Sequence, residues 1–424
     1  MDRLDMVGRA AEITELSHSL AEIVARHKQP EPTFEYGIPD VMRENAPDSD
    51  VNAITNRTKL LGLLDEFRDL LTEPAVNLSQ ENRSACLSTY PICRLGFADH
   101  VPKEGISVQD LAAKVNLDEN IVRRIMCHAA TYHIFFQSEL DYFVHTASSR
   151  LLVESEGMRN WLMMGIGETL PATHRIPEVL QNMDTLKSQS IVWSVNNSTK
   201  LPVFTALNDL PERGIVFFKA MEWHSQLPGF SPKHLIEHFP FQEKKDTTIV
   251  DVGGGFGHVS QALAFHDPNV KCVVQDLSDS VAGGEKRLPE ELKDRVTFQS
   301  HDFFQEQPVK GADVYLLRHV LHDWSNKYAR NILRAFIPAL RPGAKIVIND
   351  RIIPGFREAN YLQERESRDY DLFMFTLTNA QERTLLDWTN LLRDTDPRMK
   401  LTRVTRPEKS FLAIMEVTWE EELN

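Results

Sequence analysis

The chain has 424 residues, with 47 basic against 61 acidic side chains and a formal net charge of −14, which is room for two or three domains. Its 42% hydrophobic and 25% charged residues describe a globular protein, and the acidic excess argues against a nucleic-acid binder, which needs a basic face. No run approaches the ~20 apolar residues of a membrane span, Asp2, Arg3 and Asp5 make the start unlike a secretory leader, and four scattered cysteines form no CxxC pair. A reducing, cytoplasmic setting without membrane attachment is expected.

Apolar spacing from Ile13 to Val24 predicts an amphipathic helix, and the polar stretch from Gln29 to Asp50 predicts a surface linker. These form an N-terminal helix and linker over residues 1–55. Between 56 and 150, Ser107 and Asp110 make a capping-box-like start, with Asp in place of the preferred Glu, for a helix continued by Leu111, Ala112 and Val115. Asp118 can cap a second helix, with Ile121, Val122, Ile125 and Met126 as its expected buried face. His133 to Phe136 and Tyr142 to Val144 read as strands around a turn from Gln137 to Asp141. Helix, turn, helix and two-stranded wing make a winged-helix arrangement. Arg123 and Arg124 could suit DNA, but Asp118, Glu119 and the overall negative charge favour a packing or dimerisation module. Residues 151–239 are expected to be a helical connector, rich in Pro, Trp and Met, suited to lining a substrate pocket.

The chemistry begins in the segment 240–424. Thr247 to Val252 is a short β-branched run and hence a buried strand. Gly253, Gly254, Gly255 and Gly257 follow, and helical spacing restarts from Val259 to Ala264. Strand, glycine turn and helix open a doubly wound α/β sheet, where backbone can approach a ligand and the helix offers free N–H groups. The next strand, from Cys272, ends in Asp276, about 20 residues beyond the glycines, where an acid reaches a ribose diol. His258 breaks the dinucleotide pattern and no Gly-Lys-Ser/Thr follows. Asp251, two residues before the first glycine, points instead to an S-adenosylmethionine-type turn.

Further strands keep the alternation. Val296 to Gln299 leads to Asp302 and Phe303, a pair able to bind an exocyclic amine and cover a purine, or simply a loop. Ala312 to Leu317 leads to the run from Arg318 to Trp324. Ser325 caps a helix that Arg341, Pro342 and Gly343 stop, and Lys345 to Ile348 ends at Asn349 and Asp350. Ligands of open parallel sheets sit off the carboxyl ends of strands. Asp276, Asp302, His322 and Asp350 all fall at such ends, which singles out His322 among fifteen histidines. No His, Cys and Asp grouping has the spacing of a metal site, so no metal is expected.

The runs Asp251 to Gly257, Gln275 to Leu277, Asp313 to Trp324 and Gln381 to Thr384 resemble the caffeate-type and sterigmatocystin-type small-molecule O-methyltransferases of plants and fungi. The resemblance covers about residues 60–424. It implies a winged helix used for dimerisation, then a Rossmann-like domain with an antiparallel final hairpin. It carries the donor site onto Gly253, Asp276, Asp302, Phe303 and Arg318, the general base onto His322, and two flanking carboxylates onto Asp350 and Glu382. S-adenosylmethionine is the implied co-substrate, the acceptor a phenol or enol of an aromatic metabolite, and the assembly a homodimer through residues 1–150. The acceptor pocket would lie between the connector, Trp161 to Gln226, and the segment Tyr370 to Thr378. The family's usual Gly-Lys-Glu-Arg-Thr is altered at Ala380 and Gln381, Asp350 stands where Glu is common, and a polar stretch from Gly283 to Leu292 suggests an exposed loop. Some relatives have become pericyclases or dehydratases, which retention of His322, Asp350 and Glu382 disfavours. A metabolite-sensing DNA regulator is disfavoured by charge.

Overall fold

A computed structural model describes residues 6–30, 32–35, 50–76, 84–182, 191–201, 203–238 and 246–420. Most of the linker expected between Gln29 and Asp50 lies outside these residues. The chain divides into two compact units, one comprising 1–183, 193–225 and 359–366, the other 184–192, 226–358 and 367–424.

In the first unit, the helix Met6–Arg26 lays Leu20, Ile23 and Val24 on Ala53 of the helix Val51–Leu71. Asp50 caps the latter by accepting from the N–H groups of Asn52 and Ala53. The winged helix follows. Its helices Val108–Val115 and Glu119–Thr131 begin at the expected caps, Ser107 accepting from the Asp110 N–H at 3.1 Å and Asp118 from the Ile121 N–H at 3.2 Å. Strands β1 (Ile106–Ser107), β2 (Phe135–Glu139) and β3 (Tyr142–His145) form an antiparallel sheet with β3 in the middle. Phe97, Leu111, Val122, Met126, Phe135 and Phe143 fill the core.

Two local expectations change. Ile121 is 41% exposed, because the inward stripe runs through Val122, Met126 and Ala129 at helical spacing, and Ile121 falls beside it. The hairpin turn shrinks to Leu140 and Asp141. Asp141 takes a left-handed conformation (φ 58°), so pairing continues to Glu139. Arg123 is committed to Asp141 at 2.8 Å and Glu119 at 2.6 Å, tying helix to wing. Beyond the wing, Glu156–Met164 packs on Pro211–Ser225 so closely that a Cβ on Gly157 would sit 2.3 Å from the Trp223 ring.

The second unit is a seven-stranded sheet in the order β6-β5-β4-β7-β8-β10-β9. The strands are β4 (Thr247–Val252), β5 (Val270–Asp276), β6 (Val296–Ser300), β7 (Val314–Arg318), β8 (Lys345–Asp350), β9 (Met399–Thr405) and β10 (Ala413–Trp419). The first five are parallel and β10 is antiparallel to β8 and β9, as a Rossmann-like sheet with a closing hairpin requires. Side-chain alternation sorts each strand between two cores. Val250, Tyr315, Leu317, Ile346 and Ile348 meet the helices Asn326–Phe336 and Leu385–Thr395, while Ile249, Val314, Leu316 and Val347 meet the helix His258–His266. The expected loop from Gly283 to Leu292 is largely helix instead, Ser278–Arg287 followed by a short turn at Glu290–Leu292. The reason is steric: a Cβ on Gly284 would lie 2.3 Å from Phe298, so only glycine lets this helix rest on β6. Among the described residues, no helix is long and apolar enough to cross a membrane.

Candidate active site

At the carboxyl end of β4 the chain turns through Gly253, Gly255 and Gly257, with φ of 74°, 57° and 75°, a conformation L side chains rarely adopt. A Cβ on Gly253 would meet Val320 at 2.7 Å, and Phe303 stands 3.9 Å from the same point. The turn therefore lies against the segment two residues before His322, with the Phe303 ring beside it. Around Gly255 no atom falls within 4 Å of a Cβ position, leaving open space over the turn. The Gly255 N–H donates to Asp276 at 2.9 Å and the Leu277 N–H at 2.7 Å, which fixes that carboxylate at the end of β5. Asp251 is buried beneath, accepts from the Ser260 hydroxyl at 2.7 Å, and is pushed up to about 6 by its burial.

Asp302 is exposed and accepts from the Phe304 N–H at 3.0 Å. Arg318 is half-buried, its guanidinium bonded to Asn349 and to the Phe230 carbonyl. The glycine cradle, Asp276, Asp302 and Phe303 thus meet at one sheet edge. The open, glycine-walled turn with a fixed carboxylate fits a ribose-bearing donor.

His322 sits on the single turn Leu321–Asp323 that follows β7, and is 7% exposed. Its Nδ1 lies 2.9 Å from Oε1 of Glu382, which is wholly buried. A carboxylate can only accept, so Nδ1 carries the proton and Nε2 is left for chemistry. Oδ1 of the half-buried Asp323 stands 3.5 Å from Nε2. Asp350, at the end of β8, is fully buried and neither of its oxygens has a hydrogen-bond partner. Burial works hardest against a charge on His322, yet Asp323, Asp350 and Glu382 together outweigh it and push the imidazole up to about 10. Burial likewise pushes Asp350 up to about 7.

The turn and Glu382 are far apart in sequence and are joined by Arg383. Its buried guanidinium donates to the carbonyls of Leu321 at 2.9 Å and Trp324 at 2.6 Å and to Asn326 Oδ1 at 2.9 Å. The Glu382 N–H donates to Asp371 at 2.8 Å, and Thr384 begins the next helix in a capping box with Asp387. The three residues carried over as base and flanking carboxylates are thus brought together. Sequence reasoning missed Asp323, Arg383 and Asp371. The first two lie inside the motif runs, but nothing in the spacing foretells that Arg383 reaches back to Leu321. The expectation of no metal-ligand grouping also changes: linear spacing hides one, while the fold brings ligand atoms of His319, His322 and Asp350 within 4.8 Å of one another. In the segment expected to face the acceptor, Met374 is buried, Phe373 and Phe375 are half-buried, and Tyr370 stacks on Phe373 under the Arg351 guanidinium.

A family model described as an O-methyltransferase domain matches residues 180–396. The grayanic acid biosynthesis cluster O-methyltransferase of Cladonia grayi is 36% identical over 401 residues, covering 93% of this chain and 83% of that protein. The chlorophenol O-methyltransferase of Trichoderma longibrachiatum is 33% identical over 376 residues, covering 86% and 80%. A solved structure described as a pericyclic reaction enzyme superimposes with a TM-score of 0.67 at 21% identity, over 86% of this chain and 94% of that one, a likeness of fold alone.

Proposed function

Because the chain belongs to the S-adenosylmethionine-dependent O-methyltransferases typical of fungal secondary metabolism, we propose that it methylates a phenolic or enolic hydroxyl of an aromatic, polyketide-like metabolite, with His322 as general base. The observation that carries this is the buried His322–Glu382 pair at a strand end beside the glycine turn. The bound donor supplies a methyl group on a positively charged sulfur. In this reading the turn at Gly253 and the carboxylate of Asp276 hold its ribose, Asp302 and Phe303 take the adenine, and Arg318 backs the site.

A phenol with a pKa near 10 is mostly protonated at neutral pH. As its oxygen bonds to the methyl carbon and the carbon–sulfur electrons return to sulfur, Nε2 of His322 takes the proton and Glu382 stabilises the imidazolium. Alignment of the two substrates can supply ~7–11 kcal/mol and the base ~10²–10⁴-fold. The carboxylates that hold a proton on His322 in the free protein are opposed by the donor's positive charge, which favours the neutral imidazole once donor is bound. The chlorophenol relative supports a phenolic acceptor.

The test is incubation with methyl-labelled donor and a library of phenolic metabolites. Label on an acceptor oxygen is expected. A product isomerised or dehydrated without label would favour the pericyclase or dehydratase alternative. The exposed Leu61, Leu64, Leu70 and Leu71 support a homodimer through residues 1–150, and the free thiols suit a cytoplasmic setting.

A further inference from the structure

We propose that His319, His322 and Asp350 form a binding site for one divalent transition-metal ion of the zinc type, and that the ion silences methyl transfer by occupying Nε2 of His322. The second half of this rests on the reading of His322 as general base; the first does not.

The three side chains bring ligand atoms within 4.8 Å of one another. Two imidazoles and a carboxylate select zinc, cobalt or nickel over the oxygen-seeking calcium and magnesium. The Nδ1 of His322 is held by Glu382 at 2.9 Å. A carboxylate on the far nitrogen is how metal-binding imidazoles are fixed and made more basic, and it leaves Nε2 as the ligand atom, whose proton the ion displaces on binding. Asp350 is fully buried, and neither of its oxygens receives a hydrogen bond. A buried carboxylate without hydrogen bonds is costly; the His322 imidazolium compensates part of its charge, and an ion displacing that proton would take over the compensation.

His319 is the member that methyl transfer does not use. Its backbone is left-handed (φ 52°), and its ring stands edge-on between Phe230, with centroids 5.0 Å apart, and His322, 5.2 Å apart. Strain of this kind persists where the surroundings over-determine it, and here it sets a second imidazole against the first. The local charge points the same way, since Asp323, Asp350 and Glu382 face the cluster against Arg383 and Arg318. Zinc holds its ligands at about 2.0–2.1 Å in a tetrahedron, which spaces them about 3.4 Å apart. The three side chains need to close by up to about 1.4 Å, within reach of rotations about χ1 and χ2.

The test titrates cobalt(II), then zinc, into the full chain without donor or acceptor, read by calorimetry and by the visible absorption of protein-bound cobalt. One equivalent should bind. His319→Asn keeps a residue that tolerates the left-handed backbone but loses the imidazole, and should weaken binding ~10-fold or more. Asp350→Asn should do the same, with circular dichroism confirming that each variant folds. Stoichiometric zinc should stop methyl transfer by the wild type and a chelator should restore it, with the inhibiting concentration at least about tenfold higher in His319→Asn. No binding, or binding indifferent to both substitutions, overturns the site. Binding with transfer undiminished leaves the metal site standing and overturns the base role of His322.

Discussion

Two histidines, one in the wing and one at the sheet edge, are withdrawn from solvent and end with opposite charge preferences. In the wing, His145 places Nδ1 on the Ser149 hydroxyl at 2.9 Å and Nε2 on the Val101 carbonyl at 2.9 Å. Burial dominates there and lowers its proton affinity, so it stays neutral. At the sheet edge, His322 is more deeply buried but is ringed by Asp323, Asp350 and Glu382, which raise its affinity to about 10. The wing satisfies its polar atoms locally, as a structural core does. The sheet edge leaves both oxygens of Asp350 and one of Glu382 unpaired. Polar atoms left unpaired in this way cost stability, and such clusters concentrate at functional sites.

The sharpest way to break this contrast is to remove each imidazole in turn. His322→Gln should lower turnover at pH 7 by ~10²–10⁴-fold with donor affinity unchanged or raised, because the variant lacks the imidazolium charge that opposes the donor, and the defect should shrink as pH approaches the acceptor's own pKa. His145→Gln should leave turnover unaltered and destabilise the fold by about 1–3 kcal/mol, measured by denaturant unfolding. Equal losses of turnover in the two variants would erase the distinction.

Glu382→Gln keeps the shape beside Nδ1 but removes the charge. A charge-assisted bond of about 1.5–3 kcal/mol converts to a roughly 10- to 100-fold loss of turnover, and a rate within twofold of wild type would remove Glu382 from the mechanism. Asp276→Ala should weaken donor binding at least about tenfold, since it would lose the proposed ribose contacts and frees the Gly255 and Leu277 N–H groups that now define the turn. Unchanged calorimetric affinity would contradict that assignment.

The smallest effect is on stability against pH. Folded His322 keeps its proton to about 10, whereas an unfolded histidine loses it near 6.5. The stability this charge contributes is complete below about pH 6.5 and is lost as pH rises through about 10. Wild type should therefore lose stability across that window more steeply than His322→Gln. His145 has the opposite sign, because its affinity is lowered, and His145→Gln should flatten the acid side of the profile below about pH 6.5.

Much of this was legible before the fold. The glycine turn, Asp276, the strand ends and His322 follow from local rules: strand periodicity, turn chemistry and the carboxyl-edge rule for parallel sheets. The winged helix was legible for the same reason, its caps at Ser107 and Asp118 being signals within four residues. What local rules could not supply were contacts across long loops. Arg383 clasping the carbonyls of Leu321 and Trp324, Asp371 holding the Glu382 N–H, and His319 meeting Asp350 all join residues that only the sheet order brings together. The misreadings at Ile121 and at Gly283 to Leu292 have a related cause: a helix face is chosen by what it packs on, and Gly284 signals a loop until Phe298 is seen beneath it.

The most direct test of the central claim is a titration of the histidine ring nitrogens by nitrogen-15 resonance in histidine-labelled protein, with His322→Gln and His145→Gln used for assignment. At pH 8, without donor, His322 should show two protonated ring nitrogens, while His145 is neutral with one. Saturating S-adenosylmethionine should then shift the His322 transition to lower pH. A His322 that titrates at or below ~6.5 in the free protein, indistinguishable from His145, would contradict the account.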